Sequence, residues 1–348
     1  MTTTLIRAVL PCVLSLAAQQ AAWAAEASER QPAPAPSADV GALFDERSVL
    51  TPKGTLIVEP SLQYVHSTTT QVAIEGYTVV PSLLIGLIDL SQIQRDTLTA
   101  TLAFRYGLTR RMEVELRIPY VYREESVRER EVLEGTPTDL VRDSDGHGLG
   151  DIEAAIRYQI NARGNGPYWV ANLRVKSRTG KDQFEVDRQR LFVEDDNGTP
   201  QPIGEVFTEQ PTGSGFWSVQ PSLSWIYPSD PVVLFGSISY LWNIERNVGK
   251  GFGKVDPGDA IGFNFGMGFA VNERTSFSLG YDHNILLETK QEEDPGIDAV
   301  FERYQIGVLL LGFSQRLSPT TSLNLSAGFG VTEFAPDVQL NLRLPIAF

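Results

Sequence analysis

Strict alternation of apolar and polar residues runs through residues 337–348 and constrains the fold more than any other feature of the chain. Side chains that alternate with a period of two lie on opposite faces of a β-strand. The apolar face of this segment consists of Val338, Leu340, Leu342, Leu344, Ile346 and Phe348. An apolar face that runs to a terminal aromatic residue is typical of a barrel strand with lipid on one side and a lumen on the other. The alternative is an edge strand of a soluble β-sandwich.

The same alternation recurs from residue 54 onward in about twelve segments that turns or loops separate. The short turns lie near 107–111, 161–166, 228–231, 272–274 and 316–320. The long loops lie near 67–92, 123–148, 179–213, 247–258 and 289–300. An even strand number with alternating short and long connections is typical of single-chain outer-membrane barrels, whose short turns face the periplasm. The sequence therefore predicts an all-β fold, a transmembrane up-and-down antiparallel β-barrel of about 12 strands with both termini in the periplasm.

The N-terminal region predicts export. In residues 1–24, Arg7 precedes an apolar stretch and Ala22-Trp23-Ala24 offers a cleavage site, which indicates a signal peptide. Residues 25–50 include a proline-rich run and predict a periplasmic tether and candidate plug, and residues 51–348 predict the barrel. Cys12, the only cysteine, lies in the signal peptide, so the mature chain has no thiol for a disulfide or a thiolate metal site.

Composition excludes several functional classes. The chain has 29 Lys+Arg and 43 Asp+Glu, a formal net charge of −14, and no basic stripe, so nucleic acid is not an expected partner. After the signal peptide no run of about 20 apolar residues exists, which excludes a helical membrane protein. A barrel needs no such run, because each of its strands is only half apolar.

Predicted strands two to five place charged side chains on the inward face. These lumen residues are Arg105, Glu113, Glu115, Arg117, Asp151, Glu153, Arg157, Arg174, Lys176 and Arg178. If the turn at 161–166 closes a regular hairpin, Glu153 pairs with Arg174 and Asp151 with Lys176. Such a ladder would set selectivity or stiffen the wall, and both roles are open. The later strands place Gly, Ser and Asn inward, which leaves room for a solute or an inserted segment.

Two motifs suggest chemistry but do not support it. The segment Asp143–Asp151 resembles a calcium loop at its first, third and sixth positions, yet Ala154 stands where the twelfth position needs Glu. We therefore expect a flexible loop and no metal site. The segment Tyr281–Asn284 contains His283, but no Ser can be assigned beside it. We expect no catalytic residue, no cofactor and no enzymatic activity.

Two predicted loops are unusual in composition. Tyr77–Leu90 is too apolar for a plain solvated loop. We expect it to extend the first hairpin above the membrane; the alternatives are insertion into the barrel mouth or contact with a hydrophobic client. Glu124–Glu134 is a charged run that predicts either an exposed helix or a solvated segment.

Several motifs resemble a known family. They are Leu50–Leu56 with Glu59-Pro60, Arg105–Thr109 with Pro119-Tyr120, Gly148–Asp151 with Tyr158 and Thr179-Gly180, Gly213–Trp217, and Ala335–Asp337. Together they are similar to the family described as putative MetA-pathway of phenol degradation, over about residues 50–348. The resemblance implies an outer-membrane transporter linked by association to aromatic catabolism. More distantly the chain resembles the Fap-type amyloid secretion channel, although no heptad pattern precedes residue 50.

The sequence thus predicts a monomeric, porin-like channel in the Gram-negative outer membrane. It would pass solutes, small aromatic or hydrophobic compounds among them, by passive diffusion through a charge-lined lumen. The alternatives are an export pore for an amyloid-type polypeptide and a closed structural or adhesion barrel. Expected partners are outer-membrane lipid and lipopolysaccharide, the transported solute, and the barrel-assembly machinery. The assembly signal that this machinery would read consists of Leu344, Ile346 and Phe348.

Overall fold

The computed structural model describes residues 50–80, 83–132, 139–161, 166–194, 200–249, 253–293, 297–301 and 303–348. The predicted signal peptide, residues 1–24, and nearly all of the predicted tether, residues 25–49, lie outside the described residues. The strands are β1 (Leu56–Val80), β2 (Leu83–Thr109), β3 (Met112–Val132), β4 (Asp139–Leu149), β5 (Glu153–Gln159), β6 (Tyr168–Lys176), β7 (Arg188–Glu194), β8 (Pro200–Phe207), β9 (Ser218–Ser229), β10 (Val232–Asn243), β11 (Arg246–Asn247), β12 (Lys254–Asp256), β13 (Ala260–Asn272), β14 (Thr275–Leu286), β15 (Thr289–Glu293), β16 (Ile297–Phe301), β17 (Tyr304–Arg316), β18 (Ser322–Gly330), β19 (Val338–Arg343) and β20 (Ile346–Ala347). Within these ranges, the structure has no helix that is long and apolar enough to cross a membrane.

Twelve of these strands close into an antiparallel barrel, as the sequence predicted. Around the ring they follow chain order: β1, β2, β3, β5, β6, β9, β10, β13, β14, β17, β18 and β19. The ring closes where β19 pairs with β1, from Ser61 opposite Arg343 to His66 opposite Val338. Closure gives every strand of the ring two partners, so no edge of the ring is left unpaired.

Side chains along each strand alternate between an exposed apolar outer face and a less exposed inner face. In β13, Phe265 and Met267 are 54% and 43% exposed, whereas Gly262 is buried and Asn264 is half-buried. Every ring strand carries at least one exposed large apolar side chain, and together they make an apolar exterior far larger than the patches that soluble monomers expose. This exterior matches the lipid-facing band of a membrane barrel. The soluble-sandwich alternative is therefore wrong.

Aromatic side chains near the strand ends also face outward. Tyr120, Tyr122, Tyr158, Trp169, Tyr227, Tyr240 and Trp242 are all exposed. Amphipathic rings at these levels favour the two membrane interfaces. Trp225 differs, because it is half-buried and its ring lies over Gly236, where a Cβ would come 2.8 Å from the indole nitrogen.

The long connections consist largely of strands. β1 and β2 remain paired from the barrel up to Val80 and Leu83, so the apolar stretch Tyr77–Leu90 extends the first hairpin, the interpretation that we favoured. β1 is 25 residues long, whereas a tilted strand needs only about 9–11 residues to cross a bilayer. The wall formed by β1 to β4 therefore rises beyond the membrane at what we call the long-loop end; the opposite end is the short-turn end.

Two expectations about loops are corrected by this wall. The charged run from Glu124 is not a helix up to Val132, because β3 continues through it in register with β2. Residues 143–149 do not form a flexible calcium-type loop but lie in β4, which pairs with β3. Extended backbone cannot wrap its carboxylates around one ion, and no group of three or more potential ligands that could hold a metal ion occurs among the described residues.

The predicted last strand is interrupted by proline. β19 ends at Arg343, and pairing resumes in β20, where Val58 lies opposite Ile346. Pro345 has no N–H to donate, which breaks the ladder there, yet the register with β1 is the same on both sides. The N–H of Phe348 donates to the carbonyl of Leu56 at 2.8 Å, so the pairing extends to the final residue.

Candidate functional site

The predicted lumen residues lie mainly on one part of the barrel wall, formed by β2, β3, β5 and β6. Nine of the ten, from Arg105 to Lys176, are joined by ion pairs. Arg178 does not join them, because it lies beyond the end of β6, is exposed, and forms no ion pair with a described residue. Six of the nine form one connected network, and the other three belong to two separate ion pairs, Arg105 with Glu59 and Lys176 with Asp151. The members of the network are Glu113, Glu115, Arg117, Glu153, Arg157 and Arg174.

Arg157 is the centre of this network. Its Nη1 donates to Glu113 at 2.5 Å and its Nη2 donates to Glu115 at 2.7 Å. Both carboxylate side chains are 3% exposed. Two carboxylates this close to each other and out of water need a shared cation, since the desolvation of each costs several kcal/mol by rough estimate. Arg157 thus neutralises an otherwise repulsive pair at the inner face of β3.

The hairpin of β5 and β6 shows that the predicted register was wrong while the predicted ion pairs are present. Glu153 lies opposite Lys176 and not opposite Arg174. The side chains still meet diagonally: Arg174 Nη1 lies 3.7 Å from Glu153 Oε2, and Lys176 Nζ lies 4.0 Å from Asp151 Oδ2. A shift by two residues keeps every side chain on its original face.

The turn explains this shift. The side-chain amide of Asn161 donates to the carbonyl of Pro167 at 2.8 Å, and its oxygen accepts from the N–H of Trp169 at 2.8 Å. These bonds hold the chain across a wider turn than the one predicted at 161–166. Asparagine commonly organises turns by such local side-chain bonds.

Glu59 is a lumen residue that sequence reasoning did not single out. It is 4% exposed, forms an ion pair with Arg105, and lies 3.7 Å from Nη1 of Arg343. The signal was present, since Glu59 was placed on the polar face of the first strand. Its partners were not evident, because β1 meets Arg343 only after the barrel has closed.

The segment Leu50–Gly54 lies against the inner wall at the short-turn end. The N–H of Thr51 donates to Glu113 Oε2 at 2.7 Å, and Leu50 and Thr51 are 7% and 5% exposed. A Cβ on Gly107 would come 2.1 Å from the carbonyl oxygen of Pro52. Glycine at position 107 therefore permits a close approach between this segment and β2. The chain thus enters the barrel wall from a position next to the central ion pairs.

Asp151 performs two functions that we did not expect of one residue. It forms an ion pair with Lys176 on the inner wall, and its Oδ1 also accepts a hydrogen bond from the N–H of Gly180 at 3.0 Å. It is 9% exposed. The carboxylate therefore links the lumen wall to the connection between β6 and β9, residues 177–217, which we call the β6–β9 loop.

Buried polar residues fix the rest of this loop. Gln210, 2% exposed, donates to Glu125 at 3.1 Å and to Ser144 at 2.8 Å. Asp182, 1% exposed, accepts from Arg246 at 2.6 Å. Phe184, Phe216 and Val255 form a small apolar cluster beside it. Sequence reasoning missed these residues because their partners are 60 or more positions away in the chain.

The other side of the lumen is lined mainly by small polar side chains. A cavity of about 330 Å³ lies there between Arg157 and Arg174 on one side and serine, asparagine and aspartate side chains on the other. The members of the second group are Ser222, Ser224, Ser237, Ser239, Asn264, Asp282 and Asn284. The expectation of a lumen that is charged on one side and small and polar on the other agrees with this arrangement.

Neighbouring side chains fill the space beside some of the inward glycines. A Cβ on Gly266 would come 2.6 Å from the ring of Phe235, and one on Gly328 would come 2.9 Å from Val308 and 3.1 Å from Leu310. Val308 is 4% exposed. These glycines therefore accommodate apolar neighbours in the wall, so not all of them leave room for a solute.

His283 lies on the outer face. Its ring packs 4.9 Å from that of Phe263, and its Nδ1 lies 2.9 Å from the hydroxyl of Tyr281. Asp282 points to the opposite face, into the lumen cavity. The members of the only segment with a potential catalytic histidine are thus divided between two faces of the sheet.

Comparisons with known proteins support the fold. A model of the family described as putative MetA-pathway of phenol degradation matches residues 201–346. An outer membrane channel from Pseudomonas putida F1 is 16% identical, with a TM-score of 0.53 over 91% of this chain and 100% of that chain. The Pseudomonas putida toluene transporter TodX is 11% identical, with a TM-score of 0.41 over 89% and 94%. The second likeness is too weak to support a further conclusion.

The family match includes the motifs Gly213–Trp217 and Ala335–Asp337 that suggested the resemblance. Over residues 201–346 the chain thus matches the putative MetA-pathway of phenol degradation family, and its fold is that of an outer-membrane channel.

Proposed function

We propose that the protein is an outer-membrane channel through which small solutes pass by passive diffusion. The observation that carries this proposal is the polar cavity of about 330 Å³ inside a closed barrel with an apolar exterior. Solute-binding cavities in proteins commonly begin at about this volume. The matched family is described by phenol degradation, so we propose small aromatic compounds as the cargo.

The charges of the lumen wall favour neutral or internally balanced solutes. Five carboxylates, Glu59, Glu113, Glu115, Asp151 and Glu153, lie in ion pairs with five basic residues, Arg105, Arg117, Arg157, Arg174 and Lys176. Opposite charges that neutralise one another at short range leave a weaker field for a passing ion than a ring of one sign would. The network therefore shapes the lumen more than it attracts ions of one sign.

We propose further that residues 25–50 lie on the periplasmic side and restrict the channel from there. Leu50 and Thr51 are buried against the inner wall next to Glu113. We assign the short-turn end of the barrel, where these two residues lie, to the periplasm together with both termini. In this account, the predicted tether also acts as a plug.

A closed structural barrel is the competing function. The dense ion pairs around Arg157 and the segment at Thr51 both occupy space that a solute would otherwise use. Swelling of proteoliposomes in neutral sugars of increasing size, with the protein that lacks residues 25–49, separates the two functions. A channel admits arabinose faster than sucrose, whereas a closed barrel admits neither.

The test is sharpened by a pair of adjacent substitutions. Ser224→Trp places a large ring in the cavity, and Leu223→Trp places the same ring on the lipid side of the same strand. We expect arabinose entry to slow in the first variant and to remain unchanged in the second. Equal rates in both variants and the parent would show that solutes do not pass this cavity, and the proposal would fail.

A further inference from the structure

The lumen cavity presents opposite charges from opposite sides. Arg174 of β6 and Asp282 of β14 line the same cavity of about 330 Å³. β9, β10 and β13 separate their strands along the sheet. The two groups therefore approach the cavity from different parts of the wall and do not belong to one ion pair.

The guanidinium of Arg174 has hydrogen-bond donors that no described residue uses. Its Nε is buried and makes no hydrogen bond with a described residue. The distance from its Nη1 to Glu153, 3.7 Å, is too long for a hydrogen bond. The neighbouring Arg157, in contrast, is fully engaged by Glu113 and Glu115. Arg174 is thus the guanidinium that can bind an acceptor in the cavity.

Serine side chains on the strands between Arg174 and Asp282 add hydrogen-bond donors to the cavity. The hydroxyl oxygens of Ser222 and Ser237 accept hydrogen bonds from Asn172 at 3.0 Å and from Asn264 at 2.7 Å. A hydroxyl whose oxygen already accepts from an amide still has its own proton to donate. These two residues therefore complement an acceptor group such as a carboxylate.

Asp282 supplies the opposite property. No Lys, Arg or His nitrogen of the described residues lies within 4.0 Å of its carboxylate, which accepts a hydrogen bond from the side-chain amide of Asn284 at 2.5 Å. It is half-buried, and its oxygens accept but do not donate when ionised. A carboxylate in this position favours a cationic donor, because charge-assisted bonds are stronger than neutral ones.

We propose that this cavity binds a small amphoteric solute, with its carboxylate on Arg174 and the serine hydroxyls and its ammonium group on Asp282. The inference rests on the proposed channel function and narrows its substrate class. A solute that carries both groups gains both charge-assisted contacts, whereas a simple acid or a simple amine gains only one. A hydrocarbon gains neither.

Three probes of similar size isolate these contacts: 4-(aminomethyl)benzoate, benzoate and benzylamine. Binding is measured by calorimetry on the full mature protein in detergent, with empty micelles as the blank. This readout does not require that the barrel conducts. We expect the amphoteric probe to bind about tenfold more tightly than either of the others, as one further charge-assisted contact provides.

The variant Asp282→Asn keeps the oxygen that accepts from Asn284 but removes the charge. We expect 4-(aminomethyl)benzoate to bind this variant no better than benzoate does. In Arg174→Gln, we expect the affinity for 4-(aminomethyl)benzoate to fall to that for benzylamine. The matched control is Glu273→Gln, an exposed carboxylate in the turn before β14. It is expected to leave all three affinities unchanged.

The outcomes separate the inference from the function on which it rests. Equal affinity of the three probes, or an amphoteric preference that persists in Asp282→Asn, would overturn the inference even if the barrel conducts ions. The expected pattern of affinities in a barrel that never conducts would support the binding site and overturn the channel function.

Discussion

Asp151 accepts two hydrogen bonds from Ser214 on a single carboxylate oxygen, from the N–H at 2.8 Å and from the hydroxyl at 2.6 Å. Its other oxygen binds the N–H of Gly180. One carboxylate therefore holds both ends of the β6–β9 loop at the start of β5. Three of the motifs that suggested the family, Gly148–Asp151, Thr179-Gly180 and Gly213–Trp217, meet at this point.

Replacement of this carboxylate should release the loop. Asp151→Ala removes three hydrogen bonds to a charged group, which we expect to lower the local unfolding free energy by about 3 kcal/mol. Hydrogen exchange in residues 177–217 should accelerate by about 100-fold, while exchange in β13 and β14 stays the same. Asp145→Asn, an exposed aspartate on the adjoining β4, serves as the control. Unchanged exchange in Asp151→Ala would contradict this account of the loop.

Arg157 should be the most costly residue to remove from the lumen network. Arg157→Met leaves Glu113 and Glu115 buried without their shared cation, and we expect a loss of about 3–5 kcal/mol in unfolding free energy. Urea unfolding in lipid vesicles measures the loss. The triple variant with Glu113→Gln and Glu115→Gln should recover most of it, because it no longer buries unpaired charge.

The exposed pair of Lys181 and Glu209 provides the comparison for this prediction. Lys181 is 41% exposed at its side chain, so Lys181→Met should cost no more than about 1 kcal/mol. If Arg157→Met is no more costly than Lys181→Met, the network does not stabilise the barrel.

Gly107 should control the position of the segment at Thr51. In Gly107→Ala the new Cβ would lie 2.1 Å from the carbonyl of Pro52, so the segment must move away from β2. In the chain from residue 25 onward, which contains no cysteine, Thr51→Cys provides a single thiol. A maleimide should label this thiol slowly in the parent and at least about tenfold faster in Gly107→Ala, in proportion to the opened fraction. Gly166→Ala, whose Cβ would meet no atom within 4 Å, should not change the rate.

The predicted assembly signal is tested by its last residue. Phe348 pairs with Leu56 through two backbone hydrogen bonds, and the residue is 73% exposed. Phe348→Ser keeps those bonds, so the protein refolded in vitro should remain a barrel. Its yield in the outer membrane of a Gram-negative host should fall severalfold. The control is Leu317→Ser, which changes an exposed apolar residue in a short turn. Equal yields of the two variants would show that Phe348 is not part of the assembly signal.

The barrel was predictable from the sequence because strand alternation is a local property. Each of the twelve segments shows its own period of two. The strand with which the terminal segment pairs, β1, is known only from the structure. The extent of the long hairpin at 67–92 was less predictable, because a strand outside the bilayer needs no apolar face. The side chain of Asn161 shifted the register of β5 and β6 by two residues. The prediction assumed a regular hairpin and did not take side-chain bonds in the turn into account.

For the charged residues of the lumen, the sequence predicted which face of the strand they occupy but not which residues they contact. Glu113 and Arg157 were both placed inward, but Thr51, which also binds Glu113, lies before the first predicted strand, which begins at residue 54. Asp182 and Gln210 lie in a connection without a period, where only the folded chain brings their partners near. The Arg174 and Asp282 relationship likewise depends on closure of the barrel across several strands.

Single-channel conductance in planar bilayers tests the central proposal most directly. The full mature chain is compared with a deletion of residues 25–49, which keeps the buried residues Leu50 and Thr51. If the protein is a plugged channel, the deletion variant conducts steadily, while the full chain conducts less or only intermittently. If both proteins are folded barrels by circular dichroism and neither conducts, the lumen is closed by its own side chains, and the channel function is contradicted.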